Sequence, residues 1–197
     1  MNTNLITVRP ATTNDAPIIA TALTMALGKE LMRMYCGENY QSILEELVRM
    51  DDTQYSYRNS LVADINRVQA GAIVGYDGAR LHELRKPTLR LIQERTGHAF
   101  PSIEDETNPD EYYLDSLGVL PEYRRLGIGN KLLTTLRDKA FAEGYERAGL
   151  LVDAMNPQAE HLYLSLGFER VEARNLFGHQ MWHLQAKNPN KLNKKLF

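Results

Sequence analysis

Apolar and polar positions change period several times along this chain, and each change marks an element. Leu5-Ile6-Thr7-Val8-Arg9 alternates and predicts an opening strand. Thr12, Thr13, Asn14 and Asp15 then offer N-cap side chains, with Pro17 tolerated in a first helical turn. Ile18, Ile19, Ala22, Leu23, Ala26 and Leu27 trace one helical face, and the stripe can be followed through Leu31, Met34 and Tyr35 until Gly37. Ile43, Leu44, Leu47 and Val48 predict a second helix. Residues 60–65 and 68–76 read as two strands of a hairpin turning at Asn66-Arg67, closed by Asp77-Gly78. Pro87 is expected to start a helix bearing Leu89 and Ile92, with Leu84 upstream and Gly97 at its end.

The stretch from 112 to 144 organises the rest. Tyr112 to Val119 is apolar and β-prone, and Pro121 stops it. Arg124 and Arg125 precede Gly127 and Gly129, after which Leu132, Leu133, Leu136 and Ala140 repeat at helical spacing and Gly144 stands at the C-terminal cap. A glycine loop that opens a helix leaves backbone N–H groups uncovered, and the helix dipole favours an anion there. The pattern therefore predicts a phosphate-binding turn. Beyond it, residues 148–152 read as a buried strand and Asn156-Pro157 opens a helix with Asn as cap. From Val171 two final strands follow, joined near Asn175 to Gly178.

Composition narrows the class. The 197 residues suit one α/β domain, and 43% hydrophobic with 24% charged residues is ordinary for a globular chain. A formal net charge of −2 offers no nucleic-acid or membrane surface. The opening residues lack a charged segment followed by an apolar run, and no apolar stretch approaches the ~20 residues that span a bilayer. A single cysteine, Cys36, cannot form an internal disulfide, so a reducing cytoplasm is expected. Cys36 reads either as a small, partly buried residue or as a nucleophile.

The spacing of the glycine loop also carries a resemblance. Arg124-Arg125-Leu126-Gly127-Ile128-Gly129 fits [Q/R]-x-x-G-x-[G/A], preceded by Leu117-Gly118-Val119-Leu120-Pro121-Glu122-Tyr123. A Walker loop would need Gly-Lys-[Ser/Thr] where Asn130 and Lys131 stand, and a dinucleotide fingerprint a third glycine where Leu132 stands. The segment closely resembles the acetyl-CoA signature of the GNAT superfamily of N-acetyltransferases. Asn156 to Phe168, read as N-P-x-A-x-x-L-Y-x-x-L-G-F, resembles the second signature of the same family. Arg125 and Leu126 depart from the pattern, since relatives often carry a glycine and a basic residue there. The resemblance implies an α/β (α+β) GNAT acyl-CoA N-acyltransferase fold: a mixed, mostly antiparallel central sheet flanked by helices. One domain is expected over 1–187, with a helical insert at 79–110 before the central strand and a disordered tail at 188–197.

Function follows as a set of expectations. The resemblance implies an acetyl-CoA-dependent N-acetyltransferase moving an acetyl group to a primary amine, by direct attack and without a metal. No His/Cys/Asp cluster has metal spacing. A small-molecule amine is the leading acceptor; a protein or peptide amine, or a catalytically silent acyl-CoA-binding module, are the alternatives. A homodimer is one oligomeric option.

Acetyl transfer from a thioester needs a base for an ammonium of pKa about 10.4, donors for the oxyanion, and an acid for a thiolate of pKa about 8.5. The family pattern places coenzyme contacts at Leu117, Gly118 and Val119, at Arg124, Arg125, Leu126, Gly127, Ile128, Gly129 and Asn130 around the pyrophosphate, and at Asn156, Ala159 and Tyr163 along the pantetheine. The resemblance also implies a central strand that bulges and splays from its neighbour, offering backbone N–H groups near Leu117 and Val119 to the acetyl carbonyl and pantetheine arm, with Gly118 permitting close approach. Tyr163 holds the position of the family's thiolate protonator, although its spacing also suits a core residue.

The base is Asp115 or, more weakly, Glu111 or Glu160. Tyr113, Asp115, Leu117 and Val119 share a face by the two-residue repeat. Asp115 can equally be a structural partner of a loop or an arginine. Met32, Met34, Tyr35 and Tyr40 are candidates for lining the acceptor pocket or for plain core. The acids Glu104, Asp105, Glu106, Asp110 and Glu111 make the insert either an acceptor-site lid that favours a cationic amine or a solvated charged loop.

Overall fold

The computed structural model describes residues 5–100 and 102–192. Among them, seven strands form one sheet in the order β1-β2-β3-β4-β5-β7-β6. The strands are β1 (Ile6–Pro10), β2 (Ser60–Ile65), β3 (Val68–Asp77), β4 (Tyr112–Val119), β5 (Arg147–Asp153), β6 (Glu169–Leu176) and β7 (His179–Lys187). Every pairing is antiparallel except β4 with β5. Two-residue turns close the hairpins: Asn66 and Arg67 both adopt positive φ, as the tight reversal between right-twisted strands demands.

Helices α1 (Ala16–Leu27), α2 (Lys29–Cys36), α3 (Tyr40–Arg49) and α4 (Leu81–Thr96) cover one face, where Ile19, Leu23, Leu44, Leu47, Val62, Val74 and Ile92 form a core. Helices α5 (Ile128–Ala142) and α6 (Pro157–Ser165) cover the other, with Leu132, Leu133, Leu136, Ile73, Leu150 and Phe168. Each fully buried side chain of this kind contributes about 1.5–3 kcal/mol. The fold is the α+β arrangement expected from the sequence.

Four expectations change. The stripe that begins in α1 does not continue as one helix, because Gly28 takes φ 87° and ψ 145° and separates α1 from α2. An L side chain resists that backbone, and glycine does not. Pro87 is not a helix start: α4 begins at Leu81, after a 3-10 turn over Gly78–Arg80 to which the Asp77 carboxylate supplies a cap by accepting from the Ala79 N–H. Pro87 lies inside, buried, where its missing N–H leaves one helical bond unmade.

The third change concerns β4. Gly75 pairs with Leu114 and Val74 with Ser116, so Asp115 is an extra residue, a β-bulge. The alternation resets there. Tyr113 packs with Tyr76, Leu81 and Leu84, whereas Leu117 and Val119 pack on the opposite face with the α5 core. The four residues expected on one face are thus divided between two.

The fourth is at the C-terminus. Asn188 is buried and donates to the carbonyls of Phe141 and Tyr145 at 3.1 and 2.9 Å, and a short helix, α7 (Pro189–Leu192), follows. Packing therefore continues past Lys187, because an amide at 188 satisfies carbonyls at the end of α5. The rest of the expected tail, 193–197, lies outside the described residues.

Candidate active site

Strands β4 and β5 pair only at Tyr112↔Ala148 and Tyr113↔Gly149 and then part. On its other side β4 stays bonded to β3, and the Leu120 N–H reaches Ala70 O at 2.8 Å. By the alternation of an antiparallel ladder, the N–H groups of Leu117 and Val119 therefore turn away from β3, into the gap. These are the two donors the sequence pattern singles out.

A cavity of about 660 Å³ occupies the gap and is lined from both faces of the sheet. Asp115 and Leu117 of β4, Asp153 of β5, and Asn156, Ala159 and Tyr163 of α6 all border it. Met32, Met34 and Tyr35 of α2 close the other side, while Tyr40 is not part of the lining. Asn156 caps α6, its side chain accepting from the Ala159 N–H at 3.1 Å. The Tyr163 hydroxyl makes no hydrogen bond among the described residues, and burial holds its pKa above the usual phenol value.

The glycine loop lies beyond the cavity. Arg124 donates through Nε to Val119 O at 3.2 Å; Arg125 adopts φ 62° and Gly127 φ 81° before α5 begins at Ile128. The first helical bond runs from Lys131 N to Gly127 O, so the N–H groups of Ile128, Gly129 and Asn130 have no carbonyl earlier in the helix to meet. A Cβ on Gly127 would meet nothing within 4 Å, and one on Gly129 only Val119 and Leu117 side-chain atoms at 3.8 and 3.9 Å. Arg124, Arg125 and Leu126 are exposed around this open turn. Uncovered N–H groups, clear space and two guanidinium groups fit a diphosphate.

Gly118 has a different part from the one expected. A Cβ there would stand 2.5 Å from Ala22 Cα, so its bare backbone admits α1 against the sheet rather than a ligand. Glu111 and Glu160 are both engaged away from the cavity. Glu160 is largely buried beneath Arg170, with which it pairs. Glu111 is fully buried with His183, Gln185, Thr107 and the Asn108 N–H.

Of the three candidate bases Asp115 borders the cavity, beside Glu30, Glu106 and Asp153. Its Oδ1 accepts from Ser116 Oγ at 2.6 Å and its Oδ2 from Tyr76 Oη at 3.1 Å. Burial, reinforced by the negative charge of Glu106, pushes its pKa up to about 7 against the pull of these donors and Arg85. The insert supplies Arg85, Ile103 and Glu106 to the cavity wall. Two other acids of the run are paired: Asp105 with Arg85 and His82, and Asp110 with Arg147.

Sequence reasoning did not reach Gln54, Tyr76 or Arg85. They lie on separate elements and carry no spacing signal; a buried Tyr on β3 reads as core. Glu106 was visible only as one acid of a charged run.

Similarity to known proteins bears on the family and the fold. An acetyltransferase of Sodalis glossinidius is 33% identical over 98 residues, covering 48% of this chain and 67% of that protein. The N-alpha-acetyltransferase RimI of Mycobacterium tuberculosis is 37% identical over 103 residues, covering 48% of this chain and 61% of that protein. A crystal structure described as an acetyltransferase superposes with a TM-score of 0.78 at 32% identity, covering 92% of this chain and 98% of that one. Residues 28–168 match the Acetyltransferase (GNAT) family, and the chain belongs to that family.

Proposed function

We propose that this protein is an N-acetyltransferase that moves an acetyl group from acetyl-CoA to the primary amine of a small molecule by direct attack. The observation that carries this reading is the cavity in the β4–β5 gap, with a raised-pKa carboxyl on one wall and a protonated phenol on the other. Acetyl-CoA supplies the activated thioester. The N–H groups of Ile128, Gly129 and Asn130 with Arg124 and Arg125 hold its diphosphate, and those of Leu117 and Val119 hold the carbonyl oxygen as charge develops.

Asp115 takes the proton of the acceptor ammonium. A base that titrates near 7 combines an ionised fraction at neutral pH with useful proton affinity. Tyr163, whose pKa is held above the usual ~10, keeps its proton and can donate it to a leaving thiolate of pKa about 8.5. The choice of a small acceptor is supported by the insert, since Arg85, Ile103 and Glu106 add a wall to the cavity.

Release of free thiol from acetyl-CoA tests this. Primary amines of small molecules should support turnover, and peptides with free N-termini should not. Turnover on peptides alone would replace the acceptor class. Coenzyme binding with no turnover on either would indicate a silent binding module.

A further inference from the structure

Behind the cavity wall, one hydroxyl stands between two carboxylates. Tyr76 Oη lies 2.9 Å from Glu106 Oε1 and 3.1 Å from Asp115 Oδ2. A phenol has one proton, so it can donate to only one of them at a time. Its oxygen meanwhile accepts from Gln54 Nε2 at 3.2 Å, and the same amide nitrogen donates to Glu106 Oε1 at 2.8 Å. Burial, and then the charges of Asp115 and Glu106, hold the Tyr76 pKa well above its usual value, so the proton stays on the oxygen.

The two carboxylates are unequally supplied. Glu106 has the Gln54 amide on one oxygen and the Arg85 guanidinium on the other, and Arg85 is fixed in turn by the carbonyls of Ile103 and Glu104 and by Asp105. Among the described residues, Asp115 has only the Ser116 hydroxyl besides Tyr76. When Asp115 is ionised it lacks a second donor, and Tyr76 is the group in reach. When Asp115 is protonated it becomes a donor itself, and Tyr76 is released to Glu106.

We propose that Tyr76 is a positioning residue for the base: its hydroxyl points to Glu106 while Asp115 holds a proton and swings to Asp115 when that carboxyl ionises, so that the insert residue Glu106 tunes how readily Asp115 takes a proton from the acceptor. This rests on the acetyl-transfer reading above. The proton balance is simple. The ammonium proton moves to Asp115 Oδ2, the new O–H donates to Tyr76 Oη, and the Tyr76 proton rotates to Glu106 without leaving its oxygen. No second carboxyl changes protonation.

Other groups share the surroundings of Asp115. Arg85 from α4 acts on it as an opposite charge, and Glu106 from the loop after α4 as a like one. Tyr113 lies on its own strand, Tyr35 and Glu30 on α2, and Tyr55 before β2. Asp153, His179 and Tyr163 border the cavity from the β5 and α6 side. Among all of these, Tyr76 alone bridges Asp115 and Glu106 by hydrogen bonds in the described residues.

The test is a 13C-carboxyl NMR titration of the full-length protein, with the Asp115 resonance assigned by its loss in Asp115→Asn. Tyr76→Phe should raise the Asp115 pKa by about one unit, because the ionised form loses a donor. Glu106→Gln should lower it, because a like charge goes and the competing acceptor weakens. The rise caused by Tyr76→Phe should be larger when combined with Glu106→Gln, since the hydroxyl then serves Asp115 alone. Strictly additive shifts, or no shift with Tyr76→Phe, would overturn the proposal and leave ordinary charge repulsion.

Should Tyr76→Phe not fold, the Tyr76 Cζ chemical shift in the wild type still decides: it should change with the titration of Asp115, and constancy through that range would refute the swing. The pH profile of amine acetylation should shift in parallel with the carboxyl titration. Absence of turnover in the wild type would count against the enzymatic reading, while the NMR titration would still judge the coupling.

Discussion

The Glu111 carboxylate fills the space where a side chain on Gly149 would stand: a Cβ there would lie 1.9 Å from Glu111 Oε2. Gly149 is the last residue of β5 to pair with β4 before the strands part. The glutamate is fixed by Gln185 at 2.7 Å, Thr107 at 2.9 Å and His183 at 3.0 Å, so it cannot swing aside cheaply. Gly149→Ala should therefore destabilise the fold by about 2 kcal/mol or more, as expected when a buried polar network is broken. Denaturant midpoints of the two proteins check this, and equal midpoints would show that the cluster rearranges freely.

Glu111 also makes stability depend on pH. Burial would raise its pKa, but the His183 ring and the Asn108 N–H, with the Gln185 amide, outweigh it and leave the group below its usual value. A carboxyl depressed in the folded state stabilises the fold above the unfolded pKa of about 4.3, and that contribution disappears as pH falls through the folded value. Unfolding free energy should drop on acidification below about pH 4.3, and the drop should be smaller in Glu111→Gln. Parallel curves for both proteins would assign the acid sensitivity elsewhere.

Asp115 has the opposite sign. Its folded pKa is raised to about 7, so stability falls as pH rises from the unfolded value of about 3.9 and levels off above about 7. Asp115→Asn should be at least as stable as the wild type at pH 8, yet lose about 10²–10⁴-fold in kcat/KM. In the wild type kcat/KM should climb with pH through about 7, as the base ionises. Lost stability with retained turnover would make Asp115 a structural residue instead.

Tyr163→Phe should lower kcat by about 10²-fold, with little change in thermal stability, since the hydroxyl it removes has no partner among the described residues. An unchanged kcat and pH profile would exclude a role in protonating the thiolate.

The two loop glycines should differ. Gly127 holds φ 81° with clear space around it, so Gly127→Ala meets only backbone strain, about 1–2 kcal/mol, and should weaken coenzyme binding as the loop relaxes. Gly129 is helical with ordinary contacts at 3.8 Å, so Gly129→Ala should fold well and keep its affinity. Calorimetry with coenzyme A compares them.

What could be read in advance was local. Asn156 as cap, the Asn66-Arg67 turn and the apolar stripe of α5 each depend on residues a few positions apart, and all three are in place. Even the gap-facing amides of Leu117 and Val119 follow from strand periodicity once the pairing of β4 is known. The resemblance implies a bulge in this strand, but not its place at Asp115, which is a property of two strands in register that neither shows alone. The split of the insert's acids was not legible either, since a run of like charges has the same appearance whether solvated or buried against Arg85. Gly28 shows the limit of periodicity itself: the apolar stripe passes through it, and only the backbone angle marks the break.

The parting of β4 and β5 bears on the order of events. Because the opening is bordered by α2 on one side of the sheet and α6 on the other, donor and acceptor can arrive from opposite directions and meet in the middle. Neither partner has to depart before the other enters, and no acyl group needs to be parked on the protein between visits. Initial-rate plots against both reactants are thus expected to intersect rather than run parallel.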